Sequence, residues 1–346
     1  MSAPLIIGPE ALPALAARLR QAAACGVFVL ADTNTARDCY PLLRPHLPAH
    51  ELLTIEAGEQ HKTLETCADV WHWLTRHRAD RHALLVALGG GVVTDLGGFC
   101  AATYKRGIGC VAVPTTLLAQ VDAAVGGKTG VDFDGFKNQI GVFQEPLAVF
   151  MEPAFLATLP LAELRAGYAE VLKHTLIADA SAFEQLRHLA VTSQVDWVDI
   201  IRHSVALKEA IVAQDPLEAG LRKLLNFGHT VGHALESYLL TQPGRAVRHG
   251  EAVAAGIVCE SWLSWQRGLL APAEVAEVVR VVGCTFAKIP LAPVEIGAVA
   301  LYAAHDKKNR GTSINCTLLH GLGRGVYDQA ITLAEVQAAL TYYAAS

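Results

Sequence analysis

Four polar residues in the run LRKLLNFGHTVGHALE are spaced so that a single helix would aim them at one point: Arg222, Asn226, His229 and His233. At about 100° per residue, spacings of four, three and four keep all four within a sector of roughly 60°. Their backbones would span about 16 Å. Leu221, Leu224, Leu225 and Val231 are left to anchor the other faces. A cation, an amide and two imidazoles on one stripe are costly to bury unless something binds them. The guanidinium and amide suit anions and hydroxyls, and the imidazoles suit metal ligation or proton transfer. The bland alternative for this helix alone is a solvated face with ordinary surface histidines.

Other segments carry chemistry of the same kind. Glu170 and Lys173 in AGYAEVLKHTL lie three apart and share a helix face, as an intrahelical ion pair would. His249 opens a helix, HGEAVAAGIVCE, that is otherwise almost wholly apolar. Glu170, His229 and His249 together offer one oxygen and two nitrogens, a set that suits catalytic zinc with a position left open. Leu88-Gly89-Gly90-Gly91 closes a strand and Val92-Val93-Thr94-Asp95 opens a helix. Glycines there let backbone N–H groups approach a ligand, and a helix N-terminus favours an anion such as pyrophosphate. The run is not GxGxxG, and a plain tight turn would read the same way.

Asp32 and Asn34 end the strand GVFVLAD, where α/β proteins receive cofactors, although Asx turns are common at such ends. In AGEQHKTLET, Glu59 could bind a ribose hydroxyl and Lys62 could cap a helix. Thr115 and Thr116 follow another strand, as cofactor contacts or as caps of the next turn. Asp122, Lys128, Lys137 and Asn138 lie in the Gly-punctuated stretch QVDAAVGGKTGVDFDGFKN, whose lysines suit anions or merely solubilise a loop.

These residues need elements to position them. Residues 26–32, 83–91, 107–114 and 146–151 are apolar runs without strict alternation, which predicts parallel strands covered on both faces. Segments 9–24, 62–79 and 92–105 predict the intervening helices of a Rossmann-like α/β domain over 1–155. From about 160 the pattern turns helical, over 161–190, 197–214, 220–240, 249–268 and 272–283. Only 313–319 reads as a strand, so an all-α domain is expected over 156–346, with the boundary near Glu152–Pro160.

In combination and order, GEQHKTLET, ALGGGVVTDLGGF, YKRG, VPTTLLAQVDAAVGGKTGVDFDGFKN, TLPLAELRAGYAEVLKH, GLRKLLNFGHTVGHALE, HGEAVAAG and DKKNRG resemble the 3-dehydroquinate synthases, shikimate-pathway enzymes, from about residue 30 to 325. The resemblance implies an N-terminal NAD-binding domain, a C-terminal helical metal domain, an active site in the cleft between them and a homodimer. It implies zinc, with cobalt as an alternative, on Glu170, His229 and His249. It implies NAD contacts from Asp32, Asn34, Glu59, Lys62, Gly90, Gly91, Val92, Asp95, Thr115, Thr116, Lys137 and Thr158. Catalysis would fall to His233, Lys173, Asp122 and Asn226. Substrate would be bound by Lys128, Asn138, Lys208, Arg222, one of Lys307 and Lys308, and Arg106 reaching across the dimer. The implied substrate is 3-deoxy-D-arabino-heptulosonate 7-phosphate. The implied reaction is transient oxidation by NAD, β-elimination of phosphate, reduction, ring opening and aldol closure. Many members have Gly in place of Thr94 and Tyr or Thr in place of His174, neither a matched functional position.

Three rivals are weighed against this. A metal- and NAD-dependent polyol dehydrogenase would need no phosphate site, which Lys128, Lys137, Arg222 and the DKK run argue against. Other sugar-phosphate cyclases usually lack GGKTG, which this chain keeps at 126–130. A non-catalytic binding protein of this kind would be expected to have lost a metal ligand. Bulk properties narrow the class further. The 346-residue chain is 52% hydrophobic and 18% charged with net charge −5, which argues against nonspecific nucleic-acid binding. No basic amphipathic stretch, secretory signal or long apolar run suggests a membrane. Eight cysteines with no CxxC pair fit a reduced, cytoplasmic chain.

Overall fold

The computed structural model describes residues 3–22, 26–134, 136–304 and 314–346. Two compact units divide the chain, Met1–Pro160 with Ser193–Val205, and Leu161–Thr192 with Ala206–Ser346.

The first unit is built on six parallel strands: β1 (Leu5–Ile7), β2 (Val27–Asp32), β3 (His50–Ile55), β4 (Leu84–Gly89), β5 (Gly109–Pro114) and β8 (Val149–Met151). Their order is β1-β8-β5-β4-β2-β3. Alternation within the strands explains their unbroken apolar sequence. Phe28, Leu30, Leu85 and Ala87 face one core with Val93, Leu96 and Phe99, whereas Val27, Val29, Leu84 and Val86 face another with Leu12, Leu15 and Leu19. Each such side chain, once fully buried, contributes about 1.5–3 kcal/mol. The flanking helices are α1 (Ala11–Ala22), α2 (Thr33–Asp38), α3 (Tyr40–Leu43), α4 (Leu64–Arg76) and α5 (Gly91–Thr103). An antiparallel ribbon, β6 (Lys128–Phe133) and β7 (Phe136–Phe143), completes the main elements of 1–160.

Winding reverses between β2 and β4. The chain leaves β2 for β3 on one side, returns past β2 to β4, and continues to β5 and β8 on the other. The carboxyl ends of β2 and β4 therefore flank the topological switch point, where open α/β sheets bind ligands.

The second unit is largely helical, with α6 (Leu161–Ala178), α7 (Ala180–Leu186), α9 (His229–Leu240), α10 (His249–Gln266), α11 (Pro272–Thr285), α12 (Pro293–Ala304) and α13 (Leu333–Ala345). Helix α8 (Trp197–Gln214) begins in the first unit and ends in the second. The second half is largely helical as expected, and the strand expected over 313–319 is β9 (Ile314–Leu319), which pairs antiparallel with an unexpected strand, β10 (Gly325–Ile331). A shift of register between Val326 and Gln329 interrupts the β10 pattern and hides it from a period-two search.

The single helix expected over 220–240 is also corrected. A 3₁₀ turn over Leu221–Asn226 stops at Phe227, and α9 starts afresh at His229. Gly228 takes φ +79 between them, in the left-handed region that other residues adopt at a cost. Arg222 and Asn226 thus lie on the turn, and His229 and His233 on the helix.

Candidate active site

At the switch point Asp32 caps α2, its Oδ1 accepting from the N–H of Thr35 at 2.8 Å. The Thr35 hydroxyl donates across to the carbonyl of Leu88 at 3.1 Å, tying the end of β2 to the glycine turn after β4. Asn34 stands exposed on the first turn of that short helix. Gly90 is the N-cap of α5, and a Cβ there would sit 2.9 Å from Thr116 Cγ2. Gly90 supplies no side-chain cap, so the backbone N–H groups that open the helix at Gly91, Val92 and Val93 suit an anion. Thr115 donates its N–H to Gly89 O at 2.9 Å, and Thr116 Oγ1 accepts from Ala119 N at 3.1 Å.

Lys62 is corrected as a helix cap. Thr63 caps α4, and Lys62 is buried, its Nζ donating to Asp95 Oδ2 at 2.7 Å and to Asn138 Oδ1 at 2.5 Å. Burial opposes this ammonium, but Asp95 and Glu59 outweigh it and raise its pKa above the ordinary lysine value. Lys62, Asp95 and Asn138 thus form one cluster, which the Asp132 carboxylate extends by accepting from Asn138 N at 2.7 Å. Glu59 pairs more loosely with Lys137, at 3.5 Å. Asp95 and Lys128 line one cavity of about 70 Å³ with Thr94, Ala123 and Glu145. Asp122 is half-buried in a π-helical turn over Ala119–Ala123, and Arg106 and Thr158 are exposed in 3₁₀ turns. Lys307 and Lys308 lie outside the described residues.

In the second unit the helices bring the expected metal ligands together. Glu170 Oε1, fully buried on α6, lies 3.4 Å from His249 Nε2 and 3.6 Å from His229 Nε2. His233 joins them, and the three imidazoles offer ligand atoms within 4.8 Å of one another. The separations and the donor chemistry fit a divalent metal held by two histidines and a glutamate, with His233 beside it. Lys173 Nζ sits 2.5 Å from Glu170 Oε2, which makes the intrahelical pair real and buries it. Lys208 and Arg222 are buried in the same unit. Glu218 Oε1 accepts from Asn226 Nδ2 at 2.7 Å, and Arg222 donates to Pro216 O at 2.6 Å.

Backbone contact makes this convergence possible. A Cβ on Gly250 would overlap the carbonyl of Ala166, so glycine lets α10 close on α6 beside His249. Two carboxylates that sequence reasoning missed also serve the ligands. Glu236 accepts from His249 Nδ1 at 3.2 Å, and Glu260 receives backbone N–H groups around His229. Their only signal was an acid set among small and apolar neighbours, Glu236 after Ala234-Leu235 and Glu260 after Ile257-Val258-Cys259.

Burial would lower the His249 pKa, but Glu236 and Glu170 outweigh it and raise it to about 10. Metal must then displace a proton from this ring at neutral pH. Apparent zinc affinity of the metal-free protein is expected to rise about tenfold per pH unit between pH 6 and 8, with proton release on binding. Calorimetry in buffers of different ionisation enthalpy measures both, and a pH-independent affinity would refute the linkage. In the metal-free fold the charged ring stabilises below its ordinary value of 6.5, and that contribution is lost as pH rises toward about 10.

Comparison with known proteins places these features. The 3-dehydroquinate synthase N-terminal family matches residues 52–166 and the C-terminal family matches 167–309. The 3-dehydroquinate synthase of Parabacteroides distasonis is 41% identical over 322 residues, 92% of this chain and 91% of that protein. That of Halorhodospira halophila is 44% identical over 281 residues, 79% of this chain and 78% of its own. Among solved structures, 2-epi-5-epi-valiolone synthase from Streptomyces hygroscopicus subsp. jinggangensis, with NAD+ and Zn2+ bound, aligns with TM-score 0.85 and 31% identity, covering 100% of this chain and 97% of its own. A probable glycerol dehydrogenase from Sinorhizobium meliloti shares the fold at TM-score 0.61 and 19% identity, over 99% and 97% of the two chains.

Proposed function

The chain belongs to the 3-dehydroquinate synthase family, and from that premise we propose that it converts 3-deoxy-D-arabino-heptulosonate 7-phosphate to 3-dehydroquinate and phosphate. The observation that carries the reading is the convergence of Glu170, His229 and His249 in a unit that also buries Lys173, Lys208 and Arg222. A doubly anionic sugar acid suits such cations, and a neutral polyol does not.

Glu170, His229 and His249 would hold zinc, which when bound polarises a substrate hydroxyl and lowers its pKa. The glycine turn at Gly90–Val92 and the groups around Asp32 and Asp95 would hold NAD, which when bound supplies a reversible hydride acceptor regenerated in each turnover. The chain's own residues do the rest. Arg222 binds the substrate carboxylate through its planar guanidinium. Lys128 and Lys208 receive the remaining negative charge, with one of Lys307 and Lys308 on the phosphate. Asn226, held by Glu218, orients a ring hydroxyl, as does Asp122. Lys173, fixed against Glu170, presents a cation beside the reacting oxygen. His233, its ring centroid 4.9 Å from that of His229, moves protons at that oxygen. We place the enzyme in the cytoplasm as a homodimer in which Arg106 serves the partner's site. Among the described residues no helix is long and apolar enough to cross a membrane.

The test is purified protein with the heptulosonate phosphate, zinc and substoichiometric NAD+. Phosphate release is expected to need NAD+ and to run to many turnovers per NAD+, with no NADH accumulating. One NADH per substrate consumed would instead identify a dehydrogenase.

A further inference from the structure

We propose that Glu260 is a positioning residue: its buried carboxylate fixes the backbone break ahead of α9 and thereby aims His229 at the metal. The inference rests on the reading that His229 is a metal ligand. Glu260 lies on α10 with no exposed surface. Its Oε2 accepts from Gly228 N at 2.6 Å, and its Oε1 accepts from Thr230 N at 2.9 Å and Val231 N at 3.0 Å. These N–H groups lie on both sides of His229 at the start of a helix, where no intrahelical acceptor exists. A side chain from a different helix therefore does the work of an N-cap.

The same segment fixes the ring. His229 Nδ1 bonds to Phe227 O at 3.0 Å, one residue before the left-handed Gly228. That bond sets which nitrogen faces Glu170, and Glu260 holds the backbone from which it is made. Helix α10 is shaped to receive the turn. A Cβ on Gly256 would overlap the carbonyl of Gly228, and a Cβ on Gly228 would lie 2.8 Å from Ile257 Cγ1. Only an ionised carboxylate satisfies the three donors, because it presents acceptors alone. A glutamine would turn an NH2 toward one of them, leaving two donors face to face in a dry site. The positive end of the α9 dipole adds to the preference for a negative charge.

Two measurements test this. In the unaltered protein, hydrogen exchange at the amides of Gly228, Thr230 and Val231 is expected to be equally slow with and without zinc, because Glu260 holds them before any metal arrives. Protection that appears only with zinc would mean that the metal organises the break, and would overturn the proposal whether or not any variant folds. In Glu260→Gln, zinc affinity is expected to fall about 10–100-fold and the visible bands of the Co2+-substituted protein to shift. An unchanged affinity and Co2+ spectrum in folded Glu260→Gln would overturn the positioning role and leave the metal site standing. Full zinc retention in His229→Ala would overturn the ligand assignment on which both depend.

Discussion

His249→Ala is expected to emerge from purification with little or no zinc, and with kcat/KM lowered on the order of 10³-fold or more. Nε2 of this ring lies 3.4 Å from Glu170 and belongs to the group whose ligand atoms converge within 4.8 Å. Its removal leaves one histidine and one glutamate of the assigned set, too few to fix the usual tetrahedral arrangement. The rate loss follows from several kcal/mol of charge stabilisation that a bound metal supplies. The fold is expected to survive, because the neighbouring Gly250, not His249, makes the close approach to α6. The metal-free variant nevertheless loses the stabilisation that the charged ring draws from Glu236 and Glu170, and melts below its metal-free parent at neutral pH. Elemental analysis decides: stoichiometric zinc retained in the variant would sink the assignment.

Arg222→Lys is expected to keep its zinc and its melting temperature while losing about 10²–10³ in kcat/KM. The guanidinium is 2% exposed and hydrogen-bonded to the carbonyl of Pro216, so it is held in one orientation. Asp215 fixes the backbone beneath it, accepting from Arg222 N at 3.0 Å and Gly220 N at 2.7 Å. A planar fork so placed can take a carboxylate through two parallel bonds, which an ammonium cannot reproduce. One lost charge-assisted bond in a dry site accounts for a loss of that size. Unchanged kcat/KM on the heptulosonate phosphate would remove Arg222 from the substrate site.

Much of this architecture was legible where the chain is regular. The runs at Val27–Asp32, Leu84–Gly89 and Gly109–Pro114 read as covered parallel strands because both faces are buried, and α8 was bounded to the residue by its periodicity. Strand β3 was missed because it is an edge strand opening on two polar residues, His50, bonded to Tyr40, and the exposed Glu51. Helix α13 was missed although Thr332 and Glu335 form a capping box that announces its start. Residue types singled out Glu170, His229 and His249, whose side chains the structure brings together, but the spacing over 222–233 gave the wrong path through the chain. Arg222, Asn226, His229 and His233 fit a helical stripe that Gly228 interrupts at φ +79, whereas the run's other glycine, Gly232, stays inside α9. Lys62 was misread for another reason: its partners Asp95 and Asn138 are distant in sequence, and nothing local announces them.

The first unit is also written in two separate stretches of chain, and this orders its assembly during synthesis. Among the described residues strand β1 has its only sheet partner in β8, with Leu5 opposite Val149, so it must wait for most of the unit to be translated before it can dock. Pairing across so long a loop is intrinsically slow. Its flank is secured later still. The carbonyl of Ile7 accepts from Arg202 at 2.8 Å, and Arg202 belongs to the stretch Ser193–Val205 that returns after Leu161–Thr192 has been laid down in the second unit. A ribosome therefore delivers part of the second unit before the last piece of the first. The two cannot mature strictly one after the other, and a pause in translation between residues 160 and 193 would leave the N-terminal edge of the sheet without its Arg202 clasp.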